Sequence, residues 1–143
     1  MDDLDRAILG ALVVDARVPL ATLARRLRVA RSTLQARIER LEGSGAIAGY
    51  TVKLGEAVRR GRIRASVLLT IEPRAQAAIL ARLKAMPEVE RAHSTSGRFD
   101  LLLEIVAEGT VALDAVLDQL GTIPGVRASE SLIHLTTRID RVL

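Results

Sequence analysis

The chain has 143 residues, enough for one ordinary domain or two small ones, and its 49% hydrophobic and 27% charged content excludes disorder. It contains no cysteine, which excludes disulfides, thiolate nucleophiles and cysteine metal sites. The net charge of +4 is local, since residues 1–60 carry eleven Lys/Arg against seven Asp/Glu while residues 61–143 carry ten of each. Between Arg17 and Arg40 stand seven arginines and the single acid Glu39. A basic patch on a neutral body is the footprint of a polyanion-binding module. With one Tyr, one Phe and no Trp, the core must be Leu, Val, Ile and Ala. Arg outnumbers Lys nineteen to two, a bias that a GC-rich genome would produce by itself. The N-terminus "MDDLDR" is acidic, unlike a signal peptide, and no apolar run approaches the roughly eighteen residues of a membrane helix. The expectation is a cytoplasmic protein with no membrane partner.

In chain order, Asp2 or Asp3 can cap a first helix with Leu4, Ala7, Ile8, Ala11 and Leu12 at helical spacing, broken by "DARVP". Pro19 opens a second helix that places Leu20, Leu23, Ala24 and Leu27 on one face. After "RVA" a third helix turns Leu34, Ile38 and Leu41 inward and stops near Gly43 or Gly45, either of which can take the left-handed cap. Two short helices joined by so tight a turn, preceded by a third, make a helix-turn-helix unit. "GYTVKLGEAVRRGR" reads as a short strand and a linker.

From Ile63 the period changes to two: Ile63, Ala65, Val67, Leu69 and Ile71 alternate as in a strand. A helix over 74–85 with Ala75, Ala78, Ile79 and Leu83 inward follows, then strands "VERAHSTS" and "FDLLLEIV" around Gly97, a helix over 110–120, and a last strand "VRASESLIHLTTRI". Ile79, Leu80, Leu83, Met86, Pro87 and Val89 recur 37 residues later as Val116, Leu117, Leu120, Ile123, Pro124 and Val126. Two copies of strand-helix-strand give βαββαβ, the ferredoxin-like arrangement. The fold class is therefore α+β, divided into a helix-turn-helix domain 1–48, a strand/linker 49–61 and a ferredoxin-like domain 62–143. Both helices must lie on one face of the sheet, yet "SVLLTI" and "DLLLEIV" are apolar on both faces. The economical cover for the second face is another copy of the chain, so a homodimer through the sheets is expected.

On a helical wheel with Leu34, Ile38 and Leu41 inward, Ser32, Ala36 and Glu39 point outward, flanked by Thr33, Gln35 and Arg40, with Arg37 on a shoulder. This small, polar N-terminal turn can approach base edges, and arginines beside it suit phosphate strands. Arg28, Arg31, Ser32, Thr33, Gln35, Ala36, Arg37 and Arg40 are the candidate DNA-binding residues. A basic amphipathic helix is often only a solvated face. The tight turn, the preceding helix and the confined charge favour double-stranded DNA.

At this point "LDRAILGALVVDARVPLATLARRL", "RIERLEGSGAIAGYTVKL", "PEVERAHSTSGRFDLLLEIV" and "PGVRASESLIHL" carry a resemblance to the leucine-responsive/asparagine-operon regulator family, Lrp/AsnC. The resemblance covers the whole chain in order. Its most specific parts are "R-x-x-R-L-E-x-x-G-x-I-x-G-Y" and "H-x-x-x-G-R-F-D". It implies a transcriptional regulator with a winged-type helix-turn-helix, a ferredoxin-like effector domain, dimers assembled into octamers or similar rings, and a small effector, typically an amino acid. The chain departs from the family at Arg28, Ala30 and Pro19, where the family usually has a turn glycine, a capping serine and a serine opening the preceding helix. A lost cap costs about 1 kcal/mol, and Ser32 with Gln35 offers a displaced capping box.

In "S-G-R-F-D" the turn at Gly97 offers backbone groups for a carboxylate, and Asp100 a carboxylate for an ammonium; the plainer reading has Asp100 only capping the hairpin. Ser96, Gly97, Arg98, Phe99 and Asp100 are the candidate effector residues. Leu132, His134 and Thr136 join them because the resemblance implies that the last strand lies beside the hairpin. His93 and His134 have no companion nucleophile or metal-ligand spacing in the sequence, so no catalysis, metal or cofactor is expected. A small ferredoxin-like enzyme and an architectural DNA-binding protein without effector are the alternatives. An RNA-recognition role fails for want of strand aromatics to stack bases.

Overall fold

The computed structural model describes residues 1–141; residues 142–143, which the sequence reading placed in the C-terminal domain, lie outside the described residues. Two compact units form, one of Met1–Lys53 with residues 139–141 and one of Leu54–Arg138.

The first unit holds α1 (Asp3–Val14), α2 (Leu20–Leu27) and α3 (Arg31–Gly43). Asp2 caps α1 reciprocally with Asp5: the Asp5 N–H donates to Asp2 Oδ1 at 2.9 Å and the Asp2 N–H to Asp5 Oδ2 at 3.0 Å. Ile8, Leu23, Ala24, Leu34 and Leu41 are buried together, with Leu4, Leu12, Leu20, Leu27 and Ile38 packed around them. The three apolar stripes expected from the spacing meet in this core, except that Ala7, counted in the first, is exposed; Leu4, Ile8, Ala11 and Leu12 carry that contact without it. Helix α2 ends through Arg28, which sits in the left-handed region at φ 57°, the Val29 N–H reaching back to Ala24 O at 3.0 Å. Helix α3 starts at Arg31 behind Ala30, with no side-chain cap. The displaced capping box is not formed, because Ser32 and Gln35 are already inside the helix. At its far end Gly45 takes φ 79° and the Ile47 N–H bonds Leu41 O.

No strand forms over 49–61, where a short one was expected; between α3 and the sheet the regular structure is the single turn α4 (Glu56–Arg59). In "GYTVKLG" glycines bracket three apolar residues, and among the described residues no strand pairs with them.

The second unit is built on β1 (Ile63–Ile71), α5 (Gln76–Lys84), β2 (Val89–Ser94), β3 (Leu101–Ala107), α6 (Thr110–Gly121) and β4 (Val126–Ile133). The sheet is antiparallel in the order β2-β3-β1-β4, as a βαββαβ chain requires. Ala65, Val67, Leu69 and Ile71 pack with Leu101, Leu103, Ile105 and Ala107 against Ile79, Leu83, Leu113, Val116 and Leu120, so α5 and α6 cover one face. Ala78, expected inward, is exposed; Ile79 and Leu83 suffice to seat so short a helix.

The internal repeat is structural. The Val106 N–H donates to Glu88 O at 2.9 Å and the Glu72 N–H to Gly125 O at 2.8 Å, so each "P-x-V" connection ties down the end of a neighbouring strand. The copies differ where they must: a Cβ on Gly125 would lie 2.2 Å from Ala75 Cβ, and its φ is 96°. Strand β4 stops at Ile133 and not near 139, the His134 N–H making one more bond to Arg64 O before the chain leaves the sheet.

Candidate functional site

The N-terminal end of α3 presents Arg31, Ser32, Thr33, Gln35 and Ala36 to solvent, while Leu34 is fully buried beneath them. The wheel orientation is therefore the one expected. The Gln35 amide donates to Glu39 Oε1 at 3.2 Å along the outer face. Arg28, in the turn, and Arg25 and Arg26, in the last turn of α2, are also exposed. Among the described residues Arg25, Arg26, Arg28 and Arg31 make no salt bridge. The sequence reading left out Arg25 and Arg26, although their place beside the turn was the available signal.

Arg37 and Arg40 are placed otherwise than expected. Arg37 Nη1 donates to Asp2 Oδ2 and, at 3.0 Å, to Asp5 Oδ1, while Arg40 Nη2 reaches Asp5 Oδ1 and Oδ2 at 2.9 and 2.7 Å. The Asp5 side chain is 1% exposed, that of Arg37 27% and that of Arg40 57%. Their charge is engaged by α1 instead of standing free for phosphate. Asp5 was missed because its partners lie more than thirty residues away in sequence. Hydrogen bonding from Arg37, then from the Asp5 N–H, holds the Asp2 carboxyl at about 2, below its ordinary 3.8. Asp5 is likewise lowered, first by the Asp2 N–H, against the opposing effect of burial. Farther along α3, Tyr50 Oη donates to Glu42 Oε1 at 2.7 Å, which raises the phenol above its usual range.

In the second unit the hairpin between β2 and β3 is tightly bonded. Thr95 donates from N–H to Asp100 O at 3.0 Å and from its hydroxyl to Phe99 O at 2.8 Å. Gly97 takes φ 124°, and Ser96, Gly97 and Arg98 are exposed. Asp100 Oδ2 accepts the Ile71 N–H at 2.8 Å, and the Asp100 N–H donates to Leu69 O. The carboxylate thus ties the hairpin to β1, as the plainer reading had it, while Oδ1 has no bond among the described residues. Arg98 stacks 5.1 Å from the Phe99 ring centroid and lies 3.6 Å from Glu130.

Leu132, His134 and Thr136 do not join the hairpin within the chain. Antiparallel pairing sets Ser129 opposite Leu69 at the hairpin end of β1, but Leu132 opposite Ser66 and His134 beyond it. Thr136 lies past the strand. One sequence expectation about His134 is also corrected, since its Nε2 stands 2.8 Å from Ser66 Oγ. Ser66 lies on β1, between β3 and β4, and His134 lies just past the end of β4.

Comparison with known proteins assigns both units. The AsnC-type helix-turn-helix domain matches residues 1–42 and the Lrp/AsnC ligand binding domain residues 64–142. The chain belongs to the Lrp/AsnC family. It is a transcriptional regulator of the Lrp/AsnC type with a DNA-binding helix-turn-helix. The regulatory protein AsnC of Escherichia coli is 31% identical over 149 residues, covering 100% of this chain and 95% of that protein. The regulator FL11 of Pyrococcus furiosus is 29% identical over 135 residues, covering 94% of this chain and 89% of its own length. Among solved structures, a transcriptional regulator of Neisseria meningitidis in complex with L-Met superposes with a TM-score of 0.89 at 26% identity, over 98% of this chain and 93% of that one.

Proposed function

We propose that this Lrp/AsnC regulator reads double-stranded DNA sequence-specifically, with the N-terminal half of α3 in the major groove and its affinity set by a small effector of the amino-acid class. The observation that carries the DNA reading is the grouping of four exposed arginines, Arg25, Arg26, Arg28 and Arg31, without a salt bridge among the described residues, around the small polar turn Ser32, Thr33, Gln35 and Ala36. Arginines bound to no carboxylate retain their full charge for phosphate, and short polar side chains let the helix sit close to base edges. Residues 1–48 do this work. Residues 62–143 supply the effector site and the assembly.

The hairpin Ser96–Asp100 is assigned to the effector. Its exposed turn offers backbone donors for a carboxylate, and Asp100 Oδ1 is open to an ammonium group. The Neisseria relative solved with L-Met supports an amino-acid ligand. Dimers form through the face that α5 and α6 leave open, where Leu68 and Leu102 stand opposite each other beside Leu132, and continue into larger rings. Completion of the hairpin by a neighbouring dimer would make effector affinity depend on assembly, and that difference lets a ligand shift the equilibrium. Leu132, His134 and Thr136 remain candidates for the contribution of such a neighbour.

Footprinting of the purified protein on its own upstream region, with and without a panel of amino acids, tests the whole reading. Discrete protected half-sites that change with one amino acid, and an Asp100→Ala variant that binds but does not respond, are expected. Uniform protection of any duplex would replace it with an architectural role, and protection indifferent to every amino acid would remove the effector.

A further inference from the structure

We infer that Asp5 is a positioning residue for DNA reading: its buried carboxylate holds Arg37 and Arg40 against α1, so that these two arginines set the orientation of α3 instead of binding phosphate. The inference rests on the DNA-binding reading above and assigns a different task to two residues of the basic stretch.

Three observations carry it. Among the described residues of the first unit Asp5 is the one buried charged side chain, and both its oxygens are engaged, by the Asp2 N–H and by two guanidinium groups of α3. Arg37 and Arg40 stand three residues apart, on the same side of α3, and converge on Oδ1 at 3.0 and 2.9 Å. Apolar contacts between α1 and α3 resist separation, but they resist rotation of α3 about its own axis poorly. A fork of charge-assisted bonds to one fixed oxygen resists rotation because the bonds are directional. Rotation is the motion that would carry Ser32, Thr33 and Gln35 away from base edges. Arg25, Arg26, Arg28 and Arg31, with no carboxylate partner among the described residues, are left as the phosphate contacts.

Phosphate contact and positioning leave different signatures in binding. A phosphate contact contributes equally on every sequence and adds about 0.9 to the slope of log K against log salt. A positioning bond leaves the slope alone and acts on discrimination. The test measures affinity of the full-length protein across a salt series for two duplexes: one selected by the wild type from a random pool, and a scrambled duplex of equal length. Arg37→Gln is expected to keep the wild-type slope and lower the selected-to-scrambled ratio about tenfold. Asp2→Asn is expected to lower the ratio less, at the same slope. Asp5→Asn should lower the ratio at least as far as Arg37→Gln and strengthen binding to the scrambled duplex, because it frees two positive charges. If Asp5→Asn does not fold, Arg37→Gln decides, since it leaves Arg40 on Asp5. Arg31→Gln is the contrast, with a slope smaller by about 0.9 per protomer and little change in ratio.

Simple loss of stability weakens binding to both duplexes by one factor and moves neither slope nor ratio. That pattern in Arg37→Gln would overturn the inference, as would a slope lowered by about 0.9 per protomer at constant ratio. A wild type that binds no duplex, or binds all alike, fails the DNA-reading assignment itself, and this is seen before any variant is compared.

Discussion

Arg28 holds a left-handed backbone at φ 57°, a conformation that costs an L-residue with a Cβ about 1–2 kcal/mol. The position adds a positive charge to the turn, and on the proposed DNA reading it would trade stability for phosphate attraction. Arg28→Gly should stabilise the chain by about 1 kcal/mol, read as a higher melting temperature, while flattening the salt dependence of duplex binding by about 0.9 per protomer. A variant that melts lower would show that the Arg28 side chain has packing the backbone strain conceals. Gly125 is the opposite case, because its φ of 96° and the 2.2 Å approach of Ala75 leave no room for a methyl group. Gly125→Ala should destabilise by about 3 kcal/mol, from backbone strain and overpacking together, measured by denaturant unfolding. A loss under about 1 kcal/mol would mean that the connection before β4 moves aside easily.

At the scale of elements, the bond between α1 and α3 is a matter of protonation. The Asp2 carboxyl is held at about 2, below its ordinary 3.8, so the folded chain gives up this proton more readily than the unfolded one. The stabilisation is therefore complete above about pH 4 and is lost as the pH falls through about 2. Melting curves of wild type and Asp2→Asn should differ at pH 5 and converge toward pH 2; a constant gap would place the effect of the substitution elsewhere. The elements themselves were legible wherever burial dictates periodicity. Leu34, Ile38 and Leu41 point inward, Ala65 to Ile71 alternate, and the repeat around Pro87 and Pro124 marks two equivalent connections. What stayed hidden depends on partners distant in sequence. The spacing of Arg37 and Arg40 shows that they share a side, but nothing local says that Asp5 occupies it. The short strand expected within 49–61 has no partner strand among the described residues, and the last strand ends opposite the start of β1, a limit its own residues do not record. Likewise, the antiparallel register separates Leu132 and His134 from the hairpin that they were grouped with.

At the scale of the whole molecule, the proposed dimer pairs two copies of the sheet. The open sheet face mixes Leu68, Leu102 and Val106 with Ser66, Thr70 and Glu104, and Leu132 remains 51% exposed beside them. Leu68→Glu or Leu102→Glu places a charge at its centre and should give monomers or insoluble protein by light scattering, against a wild type that is at least dimeric at micromolar concentration; a wild-type monomer would refute the sheet-to-sheet pairing. The measurement that bears most directly on the central claim is duplex affinity as a function of salt. If the four exposed arginines on each of two protomers neutralise about eight phosphates, log K against log salt should fall with a slope near −7, and replacing Arg25, Arg26, Arg28 and Arg31 by Gln should flatten it almost completely. A steep slope that survives the fourfold replacement, or affinity that salt does not touch, would contradict the assignment of this surface to DNA.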